Sequence, residues 1–272
     1  MFWFSKKKQL VKHPYRVGLA LGGGGARGFA HIGVLRALEE FGIIPDVLAG
    51  TSAGSIIAAL YADGYAPQHI IRLFSEVNVK ELVDVTLPRN CLLKIDKFKR
   101  FIERRLHSKR IEDLKIPTYI VATDFDHGKS VTFSHGDLTE HIAASCSIPI
   151  VFPPVVIDGV HYVDGGVMRN LPASPIRELC DVLIGVNVSP MHNDQYEDNL
   201  LSIANRAYNY LSSGNVFHDL SVCDIVIECQ DVGDFNVFDI EEQEKIEMLG
   251  YQAAMTVFLN LTEEKKKLLN II

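Results

Sequence analysis

Residues 17–38, VGLALGGGGARGFAHIGVLRAL, pass from an apolar run through four consecutive glycines into helical spacing carried by Val34, Leu35, Leu38 and, beyond the stretch, Phe41. A strand that breaks at glycines and re-forms as a helix presents bare backbone N–H groups at the positive end of a helix dipole, which suits an anion. The spacing Gly23-x-Gly25-x-x-Gly28 also matches the dinucleotide fingerprint. That fold needs an acidic residue at the end of its second strand, roughly 20 residues on, to hold ribose hydroxyls. Here the second strand, DVLAG (46–50), runs into Thr51-Ser52, and no Gly-Lys-Ser/Thr follows the glycines to make a Walker A loop. The nucleotide reading therefore lacks its second element.

In that place stands Gly50-Thr51-Ser52-Ala53-Gly54, a G-x-S-x-G between a strand and a helix. Glycines flanking a serine permit the sharp turn that lifts its hydroxyl out of the sheet, and the helix that follows points its positive end at the same spot. A serine nucleophile requires a base and donors for the oxyanion. The glycine loop, one strand away, supplies side-chain-free N–H groups. None of the ten histidines lies in a motif that singles it out as the base: His31 reads as packed against the sheet, and His161 as exposed or structural within a hairpin strand. Asp164 stands out instead, at the end of VHYVD and followed by Gly165-Gly166. Taken alone, an Asp-Gly pair is also an ordinary turn.

Around these motifs, near-continuous apolar strands alternate with helical segments. Strands are expected at 16–21, 46–50, 116–124, 130–134, 181–189 and 223–229, with a hairpin turning at Asp158-Gly159 and a helical pattern from Asp239 to Leu261. The pattern predicts a three-layer α/β/α fold with a mostly parallel central sheet. Residues 1–15 read as a tail and 16–272 as one α/β domain, motif-bearing over 16–190, with C-terminal strand and helices over 191–272.

The 272 residues carry a net charge of −7, which argues against a nucleic-acid-binding surface. Five cysteines, none in a C-x-x-C, suit a reducing, cytoplasmic setting, and no run reaches the ~18 apolar residues of a membrane span. Charge is uneven: residues 86–110 hold nine Lys/Arg against two acids, a net +7, which leaves −14 on the remainder. Within them Phe98, Phe101, Ile102 and Leu106 fall on one helical face, with Asp96 placed as N-cap. This describes a basic amphipathic helix able to lie on the inner face of an anionic membrane, and equally a core-packed helix with a solvated basic face. Phe2, Trp3 and Phe4 beside Lys6, Lys7 and Lys8 have the chemistry of a small interfacial anchor or of a frayed tail.

Together, GGGGARGFAHIGVL, GTSAGSIIAALYA and DGGVMRNLP, with IAASCSIPIVFPPV (142–155) between the last two, resemble the bacterial branch of the patatin-like phospholipase family over residues 16–190. The resemblance implies a patatin-like fold and a lipid acyl hydrolase with a Ser–Asp dyad: Ser52 as nucleophile, Asp164 as base, and Gly23, Gly24 and Gly25 lining the oxyanion hole. Arg27, Gly28, Gly50, Gly54, Gly165 and Gly166 would support the motifs, and neither metal nor cofactor is required. Plant members carry an acid just before the three glycines, where this chain has Gly22. The same residues would also serve an acyltransferase, and the same fold could persist in a catalytically silent lipid-binding or regulatory protein.

Overall fold

A computed structural model describes residues 13–75, 84–85, 91–191 and 198–271. The aromatic–lysine tail at 2–8 and the first residues of the basic segment, 86–90, lie outside the described residues. The sheet is built from β1 (Tyr15–Leu21), β2 (Val47–Thr51), β5 (Thr118–Asp124), β9 (Cys180–Asn187) and β10 (Ile225–Glu228), all parallel to their neighbours in the order β10-β9-β1-β2-β5. Three antiparallel strands extend it: β6 (Lys129–Phe133), β7 (Val155–Ile157) and β8 (Val160–Asp164). A separate two-stranded ladder joins β3 (Asp84–Val85) to β4 (Leu93–Lys94). Asp158 and Gly159 both take positive φ, 51° and 82°, at the tip of the β7–β8 hairpin, the turn their dipeptide predicts.

Each central strand is buried on both faces, so alternate residues enter two different cores. Val17, Leu19 and Leu21 of β1, with Val182, Ile184 and Val186 of β9, pack under the larger helical layer. That layer comprises α1 (Ala30–Glu40), α2 (Ala53–Ala62), α3 (Pro67–Ser75), α4 (Asp96–Glu103) and the long C-terminal helix Gln243–Leu259. Ala20 and Leu183 point the other way, against Leu171, Ala173 and Ile176. The result is the predicted three-layer α/β/α arrangement. The remaining helices are α5 (Leu138–Ser145), α6 (Ser174–Arg177), α7 (Leu200–Gly214) and α8 (Phe217–Ser221), so Gln243–Leu259 is α9 and Glu263–Leu269 is α10.

Helices α1 and α9 cross with almost no side chain between them. A Cβ on Gly33 would run into the Glu247 carbonyl, and one on Gly250 into the Ala30 carbonyl. Gly33→Ala must therefore push two backbones apart, and we expect it to lower unfolding free energy by about 3 kcal/mol, read as a drop in the urea midpoint.

Two expectations change in detail. Asp96 is the first residue of α4, and the N-cap position is Ile95, with no side-chain cap. Of the two readings of the basic segment, most of the apolar face is spent in the core: Phe101 and Ile102 of α4 are buried, as is Leu106 beyond its end. Phe98 is half-buried and faces a cavity. No described helix is long and apolar enough to cross a membrane.

Candidate active site

One strand sets the geometry. Along β5, β2 pairs with Thr118–Val121 and β8 with Ala122–Asp124, while β6 overlaps both spans and so occupies the opposite edge. On the shared edge β2 and β8 therefore approach end to end. Thr51 lies opposite Val121 and Asp164 opposite Ala122, and Gly165 abuts the Thr51 methyl group, where a Cβ would stand only 2.8 Å away. Ser52, next after Thr51, thus meets the strand end that carries Asp164.

Ser52 takes φ 50°, ψ −125° at the head of α2, a conformation costly for a residue with a side chain and held only where surroundings enforce it. Its amide donates to Ser145 Oγ (2.8 Å), whose hydroxyl in turn donates to the Val121 carbonyl (2.6 Å). Its carbonyl accepts from the Ser55 hydroxyl (2.6 Å) and the Ser55 amide (2.8 Å). Gly54 must be bare because a Cβ there would collide with the Leu21 carbonyl, where the elbow presses on the glycine loop. Gly28 packs likewise on Ala53, and Gly50 on the first turn of α2 at Ser55.

Asp164 is fully buried. Its amide donates to the Ser147 carbonyl (2.9 Å), its carbonyl accepts from Thr123 Oγ1 (3.0 Å), and Oδ1 accepts from the Gly166 amide (2.7 Å). Oδ2 is buried without a hydrogen-bond partner. Burial raises the carboxyl pKa to about 6, against the pull of the Ser52 hydroxyl, the Gly166 amide and the Tyr208 hydroxyl. These hydroxyls face the carboxylate without closing on Oδ2.

The glycine loop is fixed by its carbonyls. Gly22 O accepts from His31 Nε2 (2.7 Å), and Gly23 O from Ser189 Oγ (2.7 Å) and Asn170 Nδ2 (3.3 Å). The Gly22 and Gly23 amides are also taken, by the carbonyls of Val186 (3.0 Å) and Asn170 (3.1 Å). Among the described residues the Gly24 and Gly25 amides have no acceptor, so of the three glycines expected to hold an oxyanion these two have N–H groups to offer. Gly23 is the near wall, its Cβ position 3.2 Å from Ser52 Cβ.

Arg27 is buried, and its Nε donates to the Phe235 carbonyl (2.7 Å), tying the loop to the C-terminal segment. His31 is fully buried and kept neutral, its pKa lowered to about 4 by burial. With Nε2 on Gly22 it positions the loop. No histidine hydrogen-bonds Ser52 among the described residues. His161 is exposed and pairs with Asp126 (3.1 Å).

Ser52 and Gly25 open into a cavity of about 380 Å³ walled by Phe29, Phe98, Phe152 and Phe238. Ser55, Ser145 and Tyr208 join the site without any motif in sequence, because a lone short hydroxyl or tyrosine carries no spacing to read. Asn170 sits inside DGGVMRNLP, which gave it a signal but not its contact with Gly23.

A strand–serine–helix elbow, a bare glycine loop beside it and a buried aspartate at the next strand end define an α/β/α protein with a serine elbow, not a nucleotide fold. The family model for patatin-like phospholipase matches residues 19–176, and the chain belongs to that family. It is 37% identical over 177 residues to an uncharacterized NTE family protein of Mycobacterium tuberculosis, covering 64% of this chain and 49% of the relative. It is 38% identical over 171 residues to human patatin-like phospholipase domain-containing protein 6, covering 60% of this chain and 12% of that one. Lysophospholipase NTE1 of Cryptococcus neoformans is 37% identical over 171 residues, 60% of this chain and 10% of its own length. The chain thus spans half or less of the curated relatives it matches. Among solved structures, VipD from Legionella pneumophila shares the fold at a TM-score of 0.55 and 14% identity, over 89% of this chain and 66% of VipD.

Proposed function

We propose that the chain is a serine lipid acyl hydrolase, of the phospholipase A, lysophospholipase or carboxylesterase type. Ser52 is the nucleophile, Asp164 the base, and the glycine loop supplies the oxyanion donors. The observation that carries this reading is the end-to-end meeting of β2 and β8 on β5. It brings a pinned serine elbow to a buried carboxylate at the mouth of an apolar cavity. Family membership and the relative named a lysophospholipase support it.

Ser52 Oγ attacks the acyl carbonyl carbon while its proton passes to Asp164 Oδ2. The carbonyl oxygen becomes an oxyanion held by the Gly24 and Gly25 amides, each donor worth ~3 kcal/mol in comparable sites. Collapse breaks the ester bond, and the proton moves from Asp164 to the leaving alcohol. Water then attacks the acyl-serine, giving its proton to Asp164, and the fatty acid leaves as the proton returns to Ser52. The aromatic-walled cavity, at the low end of the volumes that hold small ligands, suits one acyl chain. Incubation with a lysophospholipid should therefore release one free fatty acid per headgroup product, which mass spectrometry of the extract reads. Equal yields with and without an intact Ser52 would remove the assignment.

The substrate class implies contact with a lipid surface, and the cavity rim fits an anionic one. Leu92 and Leu93 amides bond to the carbonyls of Ile150 and Val151 (3.0 and 2.9 Å), stitching β4 to the segment before β7. Ile150 is 49% and Phe238 43% exposed, and Lys94 and Arg100 are exposed nearby in sequence, whereas Lys99 is spent on Glu140 (2.7 Å). Reversing Lys94 and Arg100 to Glu should weaken co-sedimentation with phosphatidylserine vesicles by about tenfold or more at low salt, and turnover of a soluble ester should not change. Unchanged sedimentation would leave these charges as solvated surface. The cysteines are all free, which fits a reducing, cytoplasmic setting.

A further inference from the structure

We infer that Tyr208 is a third member of the dyad, a positioning residue whose hydroxyl donates to the Asp164 carboxylate and keeps it ionised and oriented toward Ser52. The inference rests on the Ser52–Asp164 reading and adds a residue from outside the family match, which ends at residue 176.

The geometry converges on one glycine. A Cβ on Gly166 would stand 2.5 Å from Tyr208 Oη, 2.9 Å from Asn170 Oδ1 and 3.1 Å from Asp164 Oδ1. Three oxygens thus ring the bare Cα that follows the Asp-Gly turn, and one of them, the phenol, is a donor. Asn170 Oδ1 and Asp164 Oδ2 are both buried acceptors without a partner, and buried acceptors without donors are costly. Helix α7 is held against this turn from the other side. Its C-cap, Asn215, donates through Nδ2 to the carbonyl of Gly166 (2.8 Å) and accepts from the Asn170 amide (2.8 Å). Asn199 caps its first turn by accepting from Ser202 (2.9 Å). Tyr208 is therefore presented by a helix fixed at both ends, so its hydroxyl is delivered to the base by rigid scaffold rather than by a loop.

The chemistry follows from the burial of the base. A carboxylate with one amide donor in an apolar setting tends to hold its proton, and an acid that holds its proton cannot take one from serine. A phenol donates readily to an anionic oxygen and favours the charged form. Burial first, and then the charge of the neighbouring carboxylate, pushes the Tyr208 hydroxyl far above its usual range, so it stays a donor throughout. The other groups facing the carboxylate are the Ser52 hydroxyl, the Gly166 amide and the Cys146 thiol, and burial keeps that thiol protonated. In this arrangement the base is oriented by a group that is itself not consumed, the logic by which triads hold their bases.

The test is Tyr208→Phe, which keeps the ring and removes only the oxygen. With a soluble p-nitrophenyl ester, kcat should fall about tenfold with KM unchanged. The acid limb of the pH profile should move up by about one pH unit, because loss of the donor disfavours the ionised base. A second measurement is independent of how much of the variant folds: the ratio of fluorophosphonate labelling rates at pH 6 and pH 8. That ratio should drop severalfold below wild type. An unmoved acid limb or an unchanged ratio overturns the role of Tyr208, even if kcat is lower, since a purely structural loss scales both rates alike. If wild type itself fails to label, or labels equally as Ser52→Ala, the dyad reading fails instead.

Discussion

Replacing Ser52 with alanine leaves a folded protein with no fluorophosphonate label and with ester turnover lower by about 10⁴-fold or more. The size of the loss follows from the chemistry. Without Oγ no acyl-enzyme can form, and the cavity and glycine loop retain only binding and oxyanion stabilisation. Folding should survive because the elbow's conformation is enforced by backbone contacts, Ser52 N to Ser145 and Ser52 O to Ser55, which alanine keeps. Thermal melts within about a degree of wild type would establish that the loss is chemical. Residual turnover near the wild-type rate would sink the nucleophile assignment. Wild type that neither labels nor turns over, yet retains lipid, would favour the silent binding protein on the same fold.

Asp164→Asn should separate activity from stability, with opposite signs. Turnover falls on the order of 10³- to 10⁴-fold, since the amide cannot accept the serine proton. Stability at pH 8 rises, for the following reason. The carboxyl pKa is about 6 in the folded chain, above its ordinary 3.8, so the folded state holds a proton that the unfolded state has already released. Below pH 4 both states are protonated and burial of the acid costs nothing through ionisation. Between pH 4 and 6 the cost grows, and above pH 6 it is complete, about 3 kcal/mol for a shift of this size. Asparagine carries no charge to bury and can still accept from Gly166. Urea midpoints should therefore coincide at pH 4 and separate at pH 8, with Asp164→Asn the more stable. A less stable variant at pH 8 would mean that the carboxylate is better solvated than its burial implies. The wild-type rate, in turn, should climb as pH rises through about 6, where the base ionises.

The β1 strand, the elbow at Ser52 and the hairpin turn at Asp158-Gly159 are local events: apolar runs, glycine spacing and a two-residue turn specify backbone conformation within a few residues. They were legible, as was the three-layer fold, because strands buried on both faces read as unbroken apolar runs. The basic segment was not decidable locally. Phe101, Ile102 and Leu106 would suit either a membrane or a core, and only the presence of Phe74 beside Phe101 (ring centroids 5.5 Å apart) shows which partner they found. Asp96 opens α4 rather than capping it for a similar reason: helix ends depend on neighbouring chain, here the β4 ladder that leads in.

The chain alone specified a glycine loop, a serine elbow and an Asp-Gly-Gly turn, because each is a short-range demand on φ, ψ and side-chain size. Tertiary structure alone decided that the second and third meet. It fixed the register that ends β2 and β8 on the same edge of β5, and it buried the Asp164 side chain away from the protein surface. It also committed the Gly23 amide to Asn170, 147 residues away, and brought Tyr208 to the base. Register, burial and partner choice are set by contacts between residues distant in the chain, and no local pattern encodes them.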